Sequence, residues 1–365
     1  MNWERYHWRH YFGGVAFSLI ITQLLTGIFL TLFYEPNLKE AYNSVKYLYN
    51  KFPFGSLIRD GHRWIAMFLL IAVVIHSFRS LLRKDYLNPG GKTLWLTGSL
   101  FLLLLLAFLA TGVILPWEWR AYWFMEMIPN YMGTVPIVGP ALQELLIEAF
   151  TMNRAFVAHV VILPIIAIIL SDYHILSKTR KRKGGLLRYL MRHSLLTIPF
   201  FIGIAVLVDV LPMPTQDPEM IPMPLEGTFI PTPEWFLLIF WVPYMHFKGF
   251  MAPLLGFYLP FLVFLALTML PFYLKRKPEE KTAVPKKYAK LIMTLSLAAL
   301  MIGLFGFVYK VTYRSPTLGC NSCHNVAMGT RMGIPPKAFK DRNIVPLLED
   351  DEWMVKHWFI PQRMW

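Results

Sequence analysis

The sequence predicts an all-α membrane protein with seven transmembrane helices. The first four would form a bundle and the last three a second half, with a small C-terminal segment on the outer side. Three observations lead there. Tyr11–Tyr34, Thr93–Trp117, Phe250–Leu274 and Leu291–Tyr309 contain no Asp, Glu, Lys or Arg, and each reaches the roughly 20 residues that cross a bilayer core. Charged residues are 16% of the 365-residue chain and hydrophobic residues 56%, whereas a soluble domain averages about 25% charged. Basic residues gather in alternate loops between the apolar runs.

In order, the spans are expected at about 12–34, 58–82, 94–115, 155–177, 193–211, 250–274 and 289–310, with boundaries good to about 2–4 residues. The first run is too long for a cleaved leader and lacks a small-residue cleavage site, so it reads as a retained span. The second, fourth and fifth spans have shorter charge-free cores, and the second and fourth contain His. Helices that line a cofactor carry such residues, whereas lipid-facing ones avoid them. The connections Trp117–Arg154 and Leu211–Gly249 are long and rich in Pro and aromatics, a mark of functional loops. Within the second, Trp235–Met245 is apolar but too short to span and reads as a helix near the outer surface.

The net charge of +14 is a topology signal and points to no nucleic-acid partner. Lys178, Arg180, Lys181, Arg182 and Lys183 follow the fourth span, Lys275, Arg276 and Lys277 follow the sixth, and Arg79, Arg83 and Lys84 flank the end of the second. All fall on one side in a seven-span count. The opposite loops carry Glu118, Glu126, Glu144 and Glu148, and then Asp209, Asp217, Glu219, Glu226 and Glu234. By the positive-inside rule the N-terminus is cytoplasmic and the C-terminus lies on the outer, periplasmic side of a bacterial-type inner membrane.

Two spans carry paired histidines. His62 and His76 are 14 residues apart, and His159 and His174 are 15 apart. At about 100° and 1.5 Å per residue, each pair lies on roughly one helix face and about 21 Å apart along it. Antiparallel helices then set His62 level with His159 and His76 level with His174. Two bis-imidazole sites result, the arrangement that fills both axial positions of a haem iron. The bland alternative for a single intramembrane His is a hydrogen-bonded core residue; two matched pairs argue against it. Gly13 and Gly27 in the first span, and Gly98 and Gly112 in the third, repeat the 14-residue period. Glycine lets a helix backbone approach a flat macrocycle closely, although small-residue helix packing also uses it. Arg59 and Arg79 stand three residues outside His62 and His76, placed to pair with haem propionates; Arg79 reads equally well as a positive-inside anchor.

The only two cysteines form Cys320-Asn321-Ser322-Cys323-His324. This C-x-x-C-H pattern reads as one covalently bound haem c on Cys320 and Cys323, with His324 as proximal ligand; a metal or redox dithiol is the alternative. The outer-side C-terminus agrees with the compartment where such haem is attached. Met354, His357 and Met364 are distal-ligand candidates.

Gly13-Gly14, Gln23, Thr26-Gly27, His62-Arg63-Trp64, Gly112–Trp117, Pro136–Gly139 and Pro233-Glu234-Trp235-Phe236 occur in this order. In combination they resemble cytochrome b of the bc and b6f quinol-oxidising complexes, over about residues 5–310. The 15-residue spacing is similar to the b6 form, and seven spans match cytochrome b6 fused to subunit IV. The resemblance implies three units: a di-haem bundle at 1–192, a subunit IV-like three-helix domain with the quinol-oxidation loop at 193–310, and a haem c segment at 311–365. It implies that His62 and His159 hold an outer haem b and His76 and His174 a cytoplasmic one. Pro233, Glu234 and Trp235 would form the quinol-oxidation motif, with Glu234 taking a proton from quinol. The family motif ends in Tyr, whereas Phe236 here lacks the hydroxyl. Tyr11-Phe12 stands where the b6f type has the Cys for an extra covalent haem. The 310–365 segment has no counterpart in the core family.

The resulting expectation is bifurcated quinol oxidation, a Q-cycle. One electron leaves for a Rieske iron–sulfur protein and on to a cytochrome c-type subunit or soluble acceptor. The other crosses by the two b haems to reduce quinone near Asp172, Lys178 and Arg180. The complex is expected to be a homodimer in membrane lipid. The competing readings are a di-haem quinone-reactive anchor without bifurcation and a proton-coupled transporter.

Overall fold

The computed structural model describes residues 11–149, 151–176, 185–213, 234–274 and 285–311. These residues are helical, joined by turns and short connections. The first charge-free run is helix α1, Tyr11–Thr31. Asn37 accepts the backbone N–H of Lys39 and Glu40 through its side-chain carbonyl and starts a short helix α2, Ala41–Lys51. Helix α3, Gly55–Arg83, ends where Lys84 turns left-handed at φ 55° and donates to the carbonyls of Ser80 and Leu81. Gly90, at φ 71°, opens helix α4, Gly91–Ile114; only Gly adopts that backbone without strain.

The connection 117–154 is not an irregular loop. It folds into a helical pair, α5 (Trp119–Gly133) and α6 (Gly139–Ala149). Helix α7, Met152–Leu176, is the fourth span. Helix α8, Gly185–Val210, is bent by 52° between Leu195 and Thr197. Pro199 cannot donate to the Leu195 carbonyl, which is the usual origin of such a kink. The short apolar helix α9, Trp235–His246, stands where the sequence places a surface helix, and α10, Met251–Tyr273, follows. Helix α11, Pro285–Val311, closes the described chain. Among the described residues, six helices are long and apolar enough to cross a membrane, and the bent α8, taken as one span, makes seven.

Helix α3 packs against α1, α8 and α11, and α7 packs against α4. One core layer joins Val15 and Leu19 of α1, Trp64 and Leu70 of α3, Leu105 of α4 and Ile204 of α8. A second gathers Ile114, Trp117, Tyr131, Trp241 and Tyr244 at one end of the bundle. Trp95 of α4 reaches the α10 backbone, its indole N–H donating to Leu267 O at 2.8 Å. Ile165 and Ile168 of α7, Phe261 and Leu262 of α10, and Ile292 and Leu295 of α11 stay exposed. Apolar side chains in such continuous bands face hydrocarbon in a spanning helix.

Candidate cofactor and quinol site

Four imidazoles face one another as two couples. The rings of His62 on α3 and His159 on α7 have centroids 6.4 Å apart and planes inclined at 67°. Those of His76 and His174 are 6.3 Å apart at 81°. A metal bonded to one nitrogen of each ring at about 2 Å sets the centroids on the order of 6 Å apart. Both spacings therefore fit one iron between two rings.

The unequal spacings on the two helices are reconciled locally. His159 lies in a π-helical turn, Ala158–Ile162, and His174 in another, Asp172–Leu176. A π turn absorbs an additional residue relative to an α turn. The 15-residue interval on α7 thus keeps both rings opposite the 14-residue interval on α3.

The four glycines touch the rings themselves. A Cβ on Gly13, Gly27, Gly98 or Gly112 would lie 3.0, 3.3, 3.2 or 3.0 Å from Cε1 of His76, His62, His174 or His159, in that order. What lies against each glycine is the edge of an imidazole from the neighbouring helix. One cavity of about 1030 Å³ runs between the helices and is lined by all four histidines and all four glycines. That is at the upper end of the range of about 300–1,000 Å³ for cofactor pockets.

At the His62 end, the cavity wall is charged. Arg59, Arg63, Glu118, Arg120 and Glu234 line it. Arg59 and Glu118 are buried and ion-paired to each other, and Arg59 also pairs with Asp60 at 2.8 Å. Its guanidinium, expected against a propionate, is thus engaged by two carboxylates and by the Met213 carbonyl. Glu234 is buried, and its Oε1 accepts from Arg63 at 3.1 Å and from Arg120 at 3.0 Å. Burial works against its ionisation; the guanidinium groups of Arg120 and Arg63 outweigh that and hold the carboxyl below the usual carboxylate range. Trp235 is anchored on α3, its indole N–H donating to Met67 Sδ at 3.1 Å. Phe236 is buried beside it. Arg79 lies over the Phe12 ring, 5.4 Å from its centroid. Asp172 shares the π turn of His174.

Pro233, Lys178, Arg180, Cys320, Cys323 and His324 lie outside the described residues, as do the distal-ligand candidates Met354, His357 and Met364. Nothing in the sequence marks Arg120 for a role, and Arg63 and Glu118 stand out there only as parts of a motif and an acidic loop. Thr26 entered only as part of a motif, and Thr97 and Thr111 not at all; the three hydroxyls lie 2.8, 2.9 and 2.9 Å from Nδ1 of His62, His174 and His159. A signal was available: each precedes one of the spaced glycines, as Thr-Gly.

Fold and site together define an all-α membrane protein whose helix bundle encloses two stacked imidazole couples. A family model described as Cytochrome b/b6/petB matches residues 5–181. Cytochrome b6 of Tupiella akineta is 33% identical over 178 residues, 47% of this chain and 82% of that protein. Cytochrome b6 of Gloeobacter violaceus gives the same values. The b6 of Prochlorothrix hollandica is 34% identical over 157 residues, 42% of this chain and 70% of that one. A solved structure described as a hyperthermophilic respiratory Complex III superposes with a TM-score of 0.52 at 20% identity, covering 85% of this chain and 92% of its own; that likeness concerns the fold. The chain belongs to the cytochrome b/b6 family. It is a multi-pass membrane protein of that family, a cytochrome b of the b6 kind, whose members carry b haems and work in electron transport.

Proposed function

We propose that this chain binds two b haems and oxidises quinol beside Glu234, sending electrons across the membrane in a Q-cycle. His62 and His159 hold one haem and His76 and His174 the other. The facing of these imidazoles across one shared cavity is the observation that carries the reading. When bound, the two haems supply a one-electron path from the outer face to the cytoplasmic face.

The protein's own residues do the rest. Gly13, Gly27, Gly98 and Gly112 let the bundle close on the four imidazole rings that would hold the haems. Glu234, kept ionised by Arg63 and Arg120, is the base that takes a quinol proton. Trp235, anchored on Met67, holds the segment that presents it, and Pro233 belongs to the same motif. Asp172 and Lys178 supply protons for quinone reduction at the His76–His174 end, and Arg180, a permanent cation, offsets the charge of the reduced quinone. A Rieske protein takes the first electron, and a cytochrome c-type partner or soluble acceptor follows. Cys320, Cys323 and His324 carry a covalent haem c at the outer C-terminus. The domain division at 192 and 310, the homodimer, and a bacterial-type inner membrane with the N-terminus inside belong to the same proposal.

The test is made on the purified complex. A pyridine haemochrome is expected to give b and c haem in a two-to-one ratio, and His76→Leu to remove one b haem. An inhibitor that mimics quinol at the outer site is expected to block oxidant-induced reduction of haem b. A pigment-free preparation, or haem b reduction indifferent to such an inhibitor, would overturn the reading.

A further inference from the structure

Three of the four facing histidines are met by the same two-residue device. Thr26-Gly27 faces His62, Thr97-Gly98 faces His174 and Thr111-Gly112 faces His159. In each case the glycine lies against Cε1 and the threonine hydroxyl against Nδ1. Phe12-Gly13 stands at the fourth place, and Phe12 has no hydroxyl.

The hydroxyl hydrogen is spoken for. Thr26 Oγ1 donates to Thr22 O, Thr97 Oγ1 to Thr93 O and Thr111 Oγ1 to Ala107 O, all at 2.8 Å. Each hydroxyl has one hydrogen, so the oxygen can only accept from the imidazole. Nδ1 must then carry the ring proton. Nε2 is left with a bare lone pair, which is what a haem iron needs. The chain Nδ1–H to Oγ to helix carbonyl fixes tautomer and ring orientation together, and an acceptor on the far nitrogen makes the ligand more electron-rich.

We propose that Thr26, Thr97 and Thr111 are positioning residues that set the tautomer and basicity of the haem ligands, and thereby the reduction potential of each haem. This rests on the two-haem reading of the site. A more basic imidazole favours the oxidised iron, so removing its acceptor raises the potential. The Thr97 clamp acts on the His76–His174 haem, and Thr26 and Thr111 act on the His62–His159 haem.

The experiment is an optical redox titration of the two b haems in the purified complex carrying Thr97→Val, Thr97→Ser, or Thr26→Val with Thr111→Val. Thr97→Val is expected to move one haem's midpoint to more positive potential and leave the other in place. The Thr26→Val, Thr111→Val pair is expected to move the other haem instead. Thr97→Ser, which keeps the hydroxyl, is expected to restore the parent value. Haems retained with unchanged midpoints in the valine variants would overturn the proposal and leave the two-haem reading standing. Absence of b haem from the parent complex would overturn that reading itself. Should a valine variant lose its haem, the serine variant decides: a shifted midpoint there argues against the clamp, and a parent-like one supports it.

Discussion

Arg120 and Glu234 meet at 3.0 Å in the cavity wall, although 114 residues separate them. Arg120 begins the helical pair that replaces the expected loop, and Glu234 opens α9. Arg120 therefore ties the two long connections together at the carboxylate proposed as the quinol base. Its charge is one of two that hold Glu234 ionised. Arg120→Met is expected to raise the pKa of Glu234, because burial then meets less opposition. A base works only when ionised, so quinol oxidation falls as pH drops through its pKa. The acid limb of the rate profile should move to higher pH, measured with saturating acceptor. An acid limb that stays in place would separate Glu234 from the proton transfer.

Gly112 separates two outcomes by a few tenths of an ångström. Its added Cβ would lie 3.0 Å from His159 Cε1 and 3.6 Å from Nδ1. Gly112→Ala is expected to keep both haems with an altered spectrum, since the ring can give slightly. Gly112→Val, with two more carbons, is expected to expel the His62–His159 haem and halve the b-haem content. The b-haem content of purified protein checks both.

Ion pairs in this protein should differ widely in worth. Glu118 is buried against Arg59, whereas Glu148 and Arg154 pair at 2.7 Å with most of each side chain in solvent. Glu118→Gln leaves a buried guanidinium short of a partner and is expected to cost about 3 kcal/mol. Glu148→Gln should change stability by about 0–1 kcal/mol. Thermal unfolding in detergent distinguishes them.

Trp64 is 1% exposed and meets Phe305 of α11 edge-on at 5.3 Å. It is a contact by which α11 grips α3. Trp64→Ala is expected to cost about 3–5 kcal/mol and to make α11 the first element cut in limited proteolysis. Cleavage elsewhere first would place the grip at another contact.

Much of this was legible in the sequence because hydrocarbon imposes length and polarity rules on spanning helices. The charge-free runs became α1, α4, α10 and α11, and the histidine and glycine periods survived as facing rings and close contacts. What escaped was governed by tertiary contact. Nothing local in Trp117–Arg154 marks Arg120 as a partner of Glu234. Its helices α5 and α6 lack the charge-free length that announces a span. Helix α2 is short and mixed in polarity, so no periodic signal stands out. Arg59 was assigned by spacing alone, which sees neither Asp60 nor Glu118 as competitors. The threonines were visible, but their hydroxyl chemistry becomes informative only when an imidazole is seen 2.8–2.9 Å away.

The two π turns of α7 have a consequence for comparing relatives. They act as slack in the helix, taking up a change in residue number without passing it on to the rings. Register along the membrane normal is therefore uncoupled from chain length, and a homologue one residue shorter here can present the same pair of rings by winding one of those turns tighter.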